Sequence, residues 1–252
     1  SLIKRADEFG IKTAAPEIDF LKVMKRVHSV INKIEPHDSV ERYESLGVEC
    51  IEGEAQITSP WTVEVNGKSL SARSLIIATG ARPFVPPIKG IEEINYLTSD
   101  NLWELRELPK RLVVLGGGPI GSELTQAFTR LGSQVTQIEM LPRIMVREDE
   151  EISEMISKRF SEEGVDIRTN HLAKEVIKKG EQKILVCEHD GETVEIEFDE
   201  ILVAVGRAAN TSGFGLEELG IELNPNKTIK VNEKLQTSIP NIYACGDVAG
   251  PY

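Results

Sequence analysis

The chain has 252 residues, 40% of them hydrophobic and 28% charged, with a net charge of −12. These proportions suit a globular protein with a buried core and exclude a wholly disordered chain. The acidic balance disfavours nucleic acid as a main partner, since it repels a phosphate backbone, and no run of about 18 apolar residues suggests a membrane span.

In chain order, Ser1-Leu2-Ile3-Lys4-Arg5 carries no signal-peptide core. Residues 17–35 place Ile18, Leu21, Val23, Met24, Val27, Val30, Ile31 and Ile34 at spacings of mostly three and four, which predicts an amphipathic helix ended by Pro36. Residues 48–53 read as a strand. Ile57-Thr58 and Trp61–Val65 read as two more, followed by a hairpin turn at Asn66-Gly67. Ser74–Ala78 is a short apolar run suited to a buried strand, ending in Thr79-Gly80. Pro83, Pro86, Pro87 and Gly90 mark a connector. A short helix is expected over residues 100–108, capped by Ser99 or Asp100 and ended by Pro109.

A strand–turn–helix–strand unit follows: Arg111–Leu115, Gly116–Gly121, Ser122–Leu131 and Gln134–Glu139. A helix is expected over residues 148–163, then a strand at Val165–Arg168 and an alternating antiparallel meander over 172–198. Asp199–Gly206 and Ile242–Asp247 read as two further strands, each running into glycine.

The glycine turn carries the most chemistry. Gly116-x-Gly118-x-x-Gly121 follows an apolar strand, opens a helix, and has Glu139 eighteen residues on, at the end of the next strand. Gly116 suits a tight turn, Gly118 a close approach of backbone to a pyrophosphate, and Gly121 close packing of helix on strand. Pro119 and Ile120 belong to the same turn, whose free N–H groups and positive helix end suit a diphosphate. Glu139 can accept from a ribose 2′-hydroxyl and would repel a 2′-phosphate, so NAD is favoured over NADP. Thr79-Gly80 and Gly246-Asp247 each close a buried strand with small residues that let a ligand lie against backbone.

Three cysteines, Cys50, Cys187 and Cys245, stand far apart with no CxxC pair. That is neither a disulfide framework nor a zinc site, and it suits a cytoplasmic, reducing setting. The lone thiols read as packing residues, Cys50 and Cys187 on alternating strands. The four histidines have no metal-ligand spacing, and the acidic run Glu148–Glu151 suits a helix N-terminus, so no metal is assigned. Arg143 reads as a loop residue. No tyrosine is followed four positions on by lysine, which excludes a short-chain dehydrogenase site.

Taken together, ATGARP, VVLGGGPIGSELTQAFTRLG, IEMLPRI, VAVGR and NIYACGDVAG, in that order, resemble the pyridine nucleotide-disulfide oxidoreductases, including dihydrolipoamide dehydrogenase and mercuric reductase. The resemblance implies an α/β protein of two Rossmann-like nucleotide-binding folds. The NAD-binding domain, 99–207, would be inserted in an incomplete FAD-binding domain formed by 1–98 and 208–252. It implies that Thr79 and Gly80 lie near FAD, and that Asp247, beside Gly246, binds the flavin's ribityl chain. Gly206 and Arg207 would lie near the nicotinamide. Glu123 would match a carboxylate that pairs with a lysine beside the flavin, and so would be the catalytic candidate.

The family's first GxGxxG, its CxxxxC dithiol with the following lysine, and its His-Pro dimerisation segment are absent. The chain therefore looks like the middle of a longer, homodimeric enzyme. That enzyme would pass hydride from NADH through FAD to a dithiol, and on to a small-molecule or protein-bound disulfide or to Hg(II). The alternatives are an NADH-binding module without catalysis and a flavin NADH oxidase or ferredoxin reductase lacking the dithiol. Without its first βαβ unit, the FAD fold is expected to leave strand edges unpaired.

Overall fold

The computed structural model describes residues 3–12, 14 and 17–250, so the outermost residues of the expected segments, Ser1 and Tyr252, lie outside it. Two compact units form, each from two separated stretches. The first joins the described residues up to Lys33 with Pro83–Gly206, and the second joins Ile34–Arg82 with the described residues from Arg207 onward.

After a 3₁₀ turn at Ile3–Phe9 comes α1 (Phe20–Ile34). The second unit then supplies α2 (Val40–Ser45) and an antiparallel sheet of β1 (Ala55–Ser59), β2 (Thr62–Val65) and β3 (Lys68–Ser71). Asn66 and Gly67 join β2 to β3 with φ of 51° and 74°, the two positive values a two-residue hairpin turn needs. Next are β4 (Leu75–Ile77) and β5 (Ala81–Pro83).

The first unit continues with β6 (Arg111–Leu115), α3 (Pro119–Leu131), β7 (Gln134–Ile138), α4 (Glu150–Glu162) and β8 (Asp166–Arg168). The meander is β9 (Leu172–Lys179), β10 (Gln182–His189) and β11 (Glu192–Phe198), and β12 (Glu200–Val203) returns to the parallel sheet. The second unit closes with β13 (Arg207–Ala209), α5 (Leu216–Leu219) and β14 (Ile242–Ala244).

In the first unit β12, β6, β7 and β8 lie side by side, all parallel. The alternation along β6 divides the core. Val113 and Leu115 join Ile138, Ile201 and Val203 against the meander's Val176, Leu185, Ile196 and Phe198. Leu112 and Val114 face the other way, toward Phe128 of α3, Phe20 and Met24 of α1, and Leu102. A sheet covered on both faces requires a continuous apolar strand, and Leu112, Val113, Val114 and Leu115 are 1, 1, 0 and 5% exposed. Each such side chain contributes about 1.5–3 kcal/mol by burial.

Three expectations are corrected. The Pro83–Thr98 connector, like the described residues up to Lys33, groups with the first unit. Prolines and glycine read as a linker, yet Ile88, Ile91, Ile94 and Leu97 between and beyond them are core residues. Residues 48–53 form no strand. Val48 is half exposed, and the Glu52 carbonyl accepts from the Asn66 side chain at 2.6 Å instead of joining a ladder. Over 100–108 only Leu102–Glu104 turns, as 3₁₀. Side chains there take up backbone groups that a helix would use. The Asn101 oxygen accepts the Thr98 N–H at 2.7 Å, Trp103 Nε1 donates to the Ser99 carbonyl at 2.7 Å, and Arg106 donates to the Glu104 carbonyl at 2.8 Å.

In the second unit β4 and β14 pair in parallel, Ile77 opposite Ala244, and β5 pairs with β13. Ile77, Leu216, Ile229, Ile242 and Val248 form the centre of its core. The outward residue of β4, Ile76, is 71% exposed, and among the described residues this sheet has two strands.

The start of β6 is tied to the end of the meander. The Arg111 guanidinium reaches Asp199 at 2.6 Å and Glu197 at 2.7 Å, while the Arg111 N–H donates to Asp199 at 2.8 Å. Arg111 thereby holds the Asp199 carboxyl below its ordinary value. A lowered native value contributes stability that is present above about pH 4 and lost as pH falls through the native value. Asp199→Asn should therefore lower the urea midpoint at pH 7 more than at pH 3. An equal loss at both values would contradict this role.

Candidate functional site

The first unit presents an open turn at the carboxyl end of its sheet, between β6 and α3. Gly116 has φ +117°, and a Cβ there would stand 2.3 Å from the Ala204 carbonyl oxygen. A Cβ on Gly121 would stand 2.3 Å from the Gly116 carbonyl oxygen. These two glycines let α3 descend onto the strand end. Gly118 differs, because a Cβ there would meet nothing within 4 Å. Its lack of a side chain leaves room above the backbone rather than relieving a clash inside the fold.

Gly118 is the N-cap of α3 with no side-chain cap, and Pro119 starts the helix without an N–H. Among the described residues no acceptor meets the N–H groups of Gly118, Ile120 or Gly121. A 13-residue helix thus offers three free donors and the positive end of its dipole at a half-exposed turn. An anion with several oxygens is the chemical complement.

Glu139 closes the turn from the side. Its carboxylate accepts the Gly117 N–H at 2.7 Å and the Leu141 N–H at 2.8 Å. One oxygen is engaged by each, and the remaining lone pairs stay available to hydroxyl donors. Gly117 is also constrained, since a Cβ there would stand 2.8 Å from the Glu139 carboxylate. Arg143 does not face this turn as an anion ligand. It donates to the Glu148 and Val146 carbonyls at 3.0 and 3.2 Å, within its own loop. Glu123 is exposed on α3 and has no ion-pair partner among the described residues.

In the second unit the parallel pairing of β4 with β14 brings Thr79-Gly80 and Cys245-Gly246-Asp247 to the same sheet end, where Cys245 N–H donates to the Ile77 carbonyl at 3.1 Å. Gly80 and Gly246 have φ of +65° and +73°, and a Cβ on either would meet open space. Asp247 is exposed and lies 3.5 Å from the Arg207 Nε, and Arg207 also donates to the Ala81 carbonyl. Gly206, before it, has φ +138°.

Asn210, which sequence reasoning passed over, ties the Thr79-Gly80 turn. It donates from its side chain to the Thr79 carbonyl at 2.9 Å and from its backbone to the Gly80 carbonyl at 3.0 Å, while the Thr79 hydroxyl donates to the Asn210 carbonyl at 2.7 Å. A lone Asn after Ala-Ala carries no motif that would have flagged it. Gln137 was missed too, although its alternation with buried Val135 signals an inward polar side chain.

Cys187 is 1% exposed on β10, and burial pushes its thiol up to about 11 against the opposing charge of Arg168. Cys50 is half-buried and, contrary to expectation, lies off any strand. His171 and His189 stack with centroids 4.1 Å apart, and each Nδ1 pairs with a backbone carbonyl. Among the described residues no three His, Cys, Asp or Glu side chains converge on a metal position, and no helix is long and apolar enough to cross a membrane.

The profile of the pyridine nucleotide-disulphide oxidoreductase family matches residues 7–252. A mercuric reductase of Lysinibacillus sphaericus is 38% identical over 243 residues, which are 96% of this chain and 44% of that protein. A dihydrolipoyl dehydrogenase of Thermus scotoductus is 38% identical over 258 residues, 99% of this chain and 54% of the relative. The HOCl-induced flavoprotein disulfide reductase RclA from Escherichia coli matches in structure with a TM-score of 0.85 at 30% identity, covering 100% of this chain and 55% of its own. The chain spans about half the length of each of these three relatives.

Two outcomes check the geometry. Gly121→Ala should cost about 1–3 kcal/mol of stability, because the methyl meets a backbone oxygen and not a side chain that can move; an unchanged melting temperature would contradict the close approach. At pH 8, iodoacetamide should label Cys50 and Cys245 well before Cys187, as peptide mass spectrometry would show. Equal rates would contradict the burial of Cys187.

Proposed function

The chain belongs to the pyridine nucleotide-disulphide oxidoreductase family, and on that premise we propose that it is the nucleotide-binding part of a flavin-dependent oxidoreductase of the disulfide reductase type. The observation that carries the proposal is the turn at Gly116–Gly121, with three free N–H donors beside an anchored carboxylate.

In this reading Gly118, Ile120 and Gly121 donate to the diphosphate of NADH, and Pro119 fixes the start of the helix that aims them. Gly116 and Gly121 set the approach of helix to strand. Glu139 receives the adenosine ribose hydroxyls, and its charge disfavours a 2′-phosphate, so NADH binds more tightly than NADPH. The second unit's turns, Thr79-Gly80 and Gly246-Asp247, are open, glycine-shaped and adjacent, which fits a flavin lying against backbone. When bound, FAD supplies the two-electron acceptor for the hydride of NADH. Asp247 accepts from the flavin's ribityl hydroxyls, and Arg207 compensates its charge. Gly206, at positive φ, lets the chain turn before Arg207 at the nicotinamide end. Glu123 is the carboxylate near the nicotinamide.

In the whole protein, a homodimer of the cytoplasm, electrons pass on to a disulfide or to Hg(II). The mercuric reductase and dihydrolipoyl dehydrogenase relatives support those two acceptor classes.

The visible spectrum and NADH and NADPH titrations of wild type and Gly118→Ala test this reading. A yellow protein bleached by NADH is expected if the flavin site is retained. Colourless protein that binds NADH would favour a binding module without catalysis. Gly118→Ala should melt with wild type, since its Cβ meets open space, yet bind NADH roughly tenfold more weakly, about 1.4 kcal/mol. Absence of NADH binding, or tighter NADPH binding, would overturn the reading.

A further inference from the structure

We propose that Gln137, a β7 residue beneath the glycine turn, is the positioning residue that orients the turn's peptide groups toward a diphosphate; this rests on the nucleotide reading above.

Gln137 is 0% exposed, in a strand whose other buried residues, Val135 and Ile138, are apolar. Its amide nitrogen donates to the Gly116 carbonyl at 3.1 Å and to Ser122 Oγ at 3.2 Å. Ser122 in turn donates to the Gly117 carbonyl at 3.3 Å. Only the NH₂ end of the amide can pair with a carbonyl, so the Gly116 oxygen dictates which way the side chain faces.

The consequence follows from peptide planarity. In a trans peptide the C=O and the N–H point in opposite directions, so holding one aims the other. The Gly116 carbonyl is held by Gln137, and the Gly117 N–H of the same peptide goes to Glu139. The Gly117 carbonyl is held by Ser122 and by the Met145 N–H at 2.7 Å, which aims the Gly118 N–H the opposite way. Gln137 is the root of this chain. It fixes the Gly116 carbonyl against which Gly121 packs, and it orients the hydroxyl that fixes the next carbonyl.

For core stability the two ends of the Gln137 amide offset each other, one paired and one unpaired. The Gln137 Oε1 has no partner, and neither does the hydroxyl of Thr125, which is 0% exposed on α3. A buried acceptor left unpaired is destabilising. A methionine of similar length would remove it together with the two donated bonds, leaving the buried Gly116 carbonyl unpaired in its place. Burial and binding therefore give different forecasts for the same substitution.

The test is Gln137→Met in the full chain, with the melting temperature and the dissociation constants of NADH, ADP-ribose and AMP measured beside wild type. The expected result is a melting temperature within a few degrees of wild type, because one unpaired buried acceptor is exchanged for another. NADH and ADP-ribose should both bind about tenfold more weakly, as lost preorganisation predicts, while AMP, which lacks the diphosphate, changes less. Gln137→Glu, which keeps the size but can donate to Gly116 only while its buried carboxyl is protonated, should weaken NADH increasingly as pH rises.

Unchanged NADH affinity in Gln137→Met would overturn the proposal and make Gln137 a filler of the core. An equal loss for AMP would also overturn it, since the effect would then not act through the diphosphate turn. If wild type binds no NADH, the nucleotide reading itself fails and takes the proposal with it. Should Gln137→Met not fold, Ser122→Ala decides: a smaller NADH loss at unchanged melting temperature supports the relay, and none overturns it.

Discussion

The first unit is organised by how closely α3 comes down on the end of β6. The Gly116 carbonyl oxygen is the crowded point. A methyl on Gly121 would stand 2.3 Å from it, and Gln137 donates to it from below. With the helix held there, its first N–H groups emerge beside the end of β7, where Glu139 begins. That carboxylate accepts the Gly117 N–H and the Leu141 N–H, so it ties the turn to the next loop. The site is thus a consequence of packing. Two glycines permit the approach, a third keeps the surface clear, and an acid closes the rim.

Such a turn needs a strand that does not shift. β6 is buried on both faces, by the meander on one side and by α1 and α3 on the other. Its start is clamped by the Arg111–Asp199 pair. Burial therefore carries most of the rigidity, and the half-exposed ion pair adds register more than energy. The second unit repeats the principle on a smaller scale. Two parallel strands, β4 and β14, end together in glycine turns that leave backbone open, and Asn210 ties one of them.

Much of this was legible in the sequence because each feature is local. Gly116, Gly118, Gly121 and Glu139 stand at spacings that strand, turn and helix geometry dictate, and the apolar run of β6 announces a strand. What escaped depends on partners distant in sequence. Asn210 matters because it meets Thr79, and nothing near Asn210 says so. Gln137 reads as an ordinary strand residue in the sequence, and only the fold sets Gly116 and Ser122 above it. The Pro-rich connector hid its isoleucines' place in the core. Residues 100–108 had the composition of a helix, but Asn101, Trp103 and Arg106 take up the backbone groups that a helix needs.

The central claim is that the turn between β6 and α3 is built to receive a diphosphate before one arrives. Backbone amide NMR of the 27.9 kDa chain, recorded without and with saturating NADH, tests it most directly. The account predicts large shifts at the Gly118, Ile120 and Gly121 amides, with Gly117 protected from exchange in both states by Glu139. Shifts confined to other residues, or a Gly117 amide that exchanges freely until NADH is added, would contradict it.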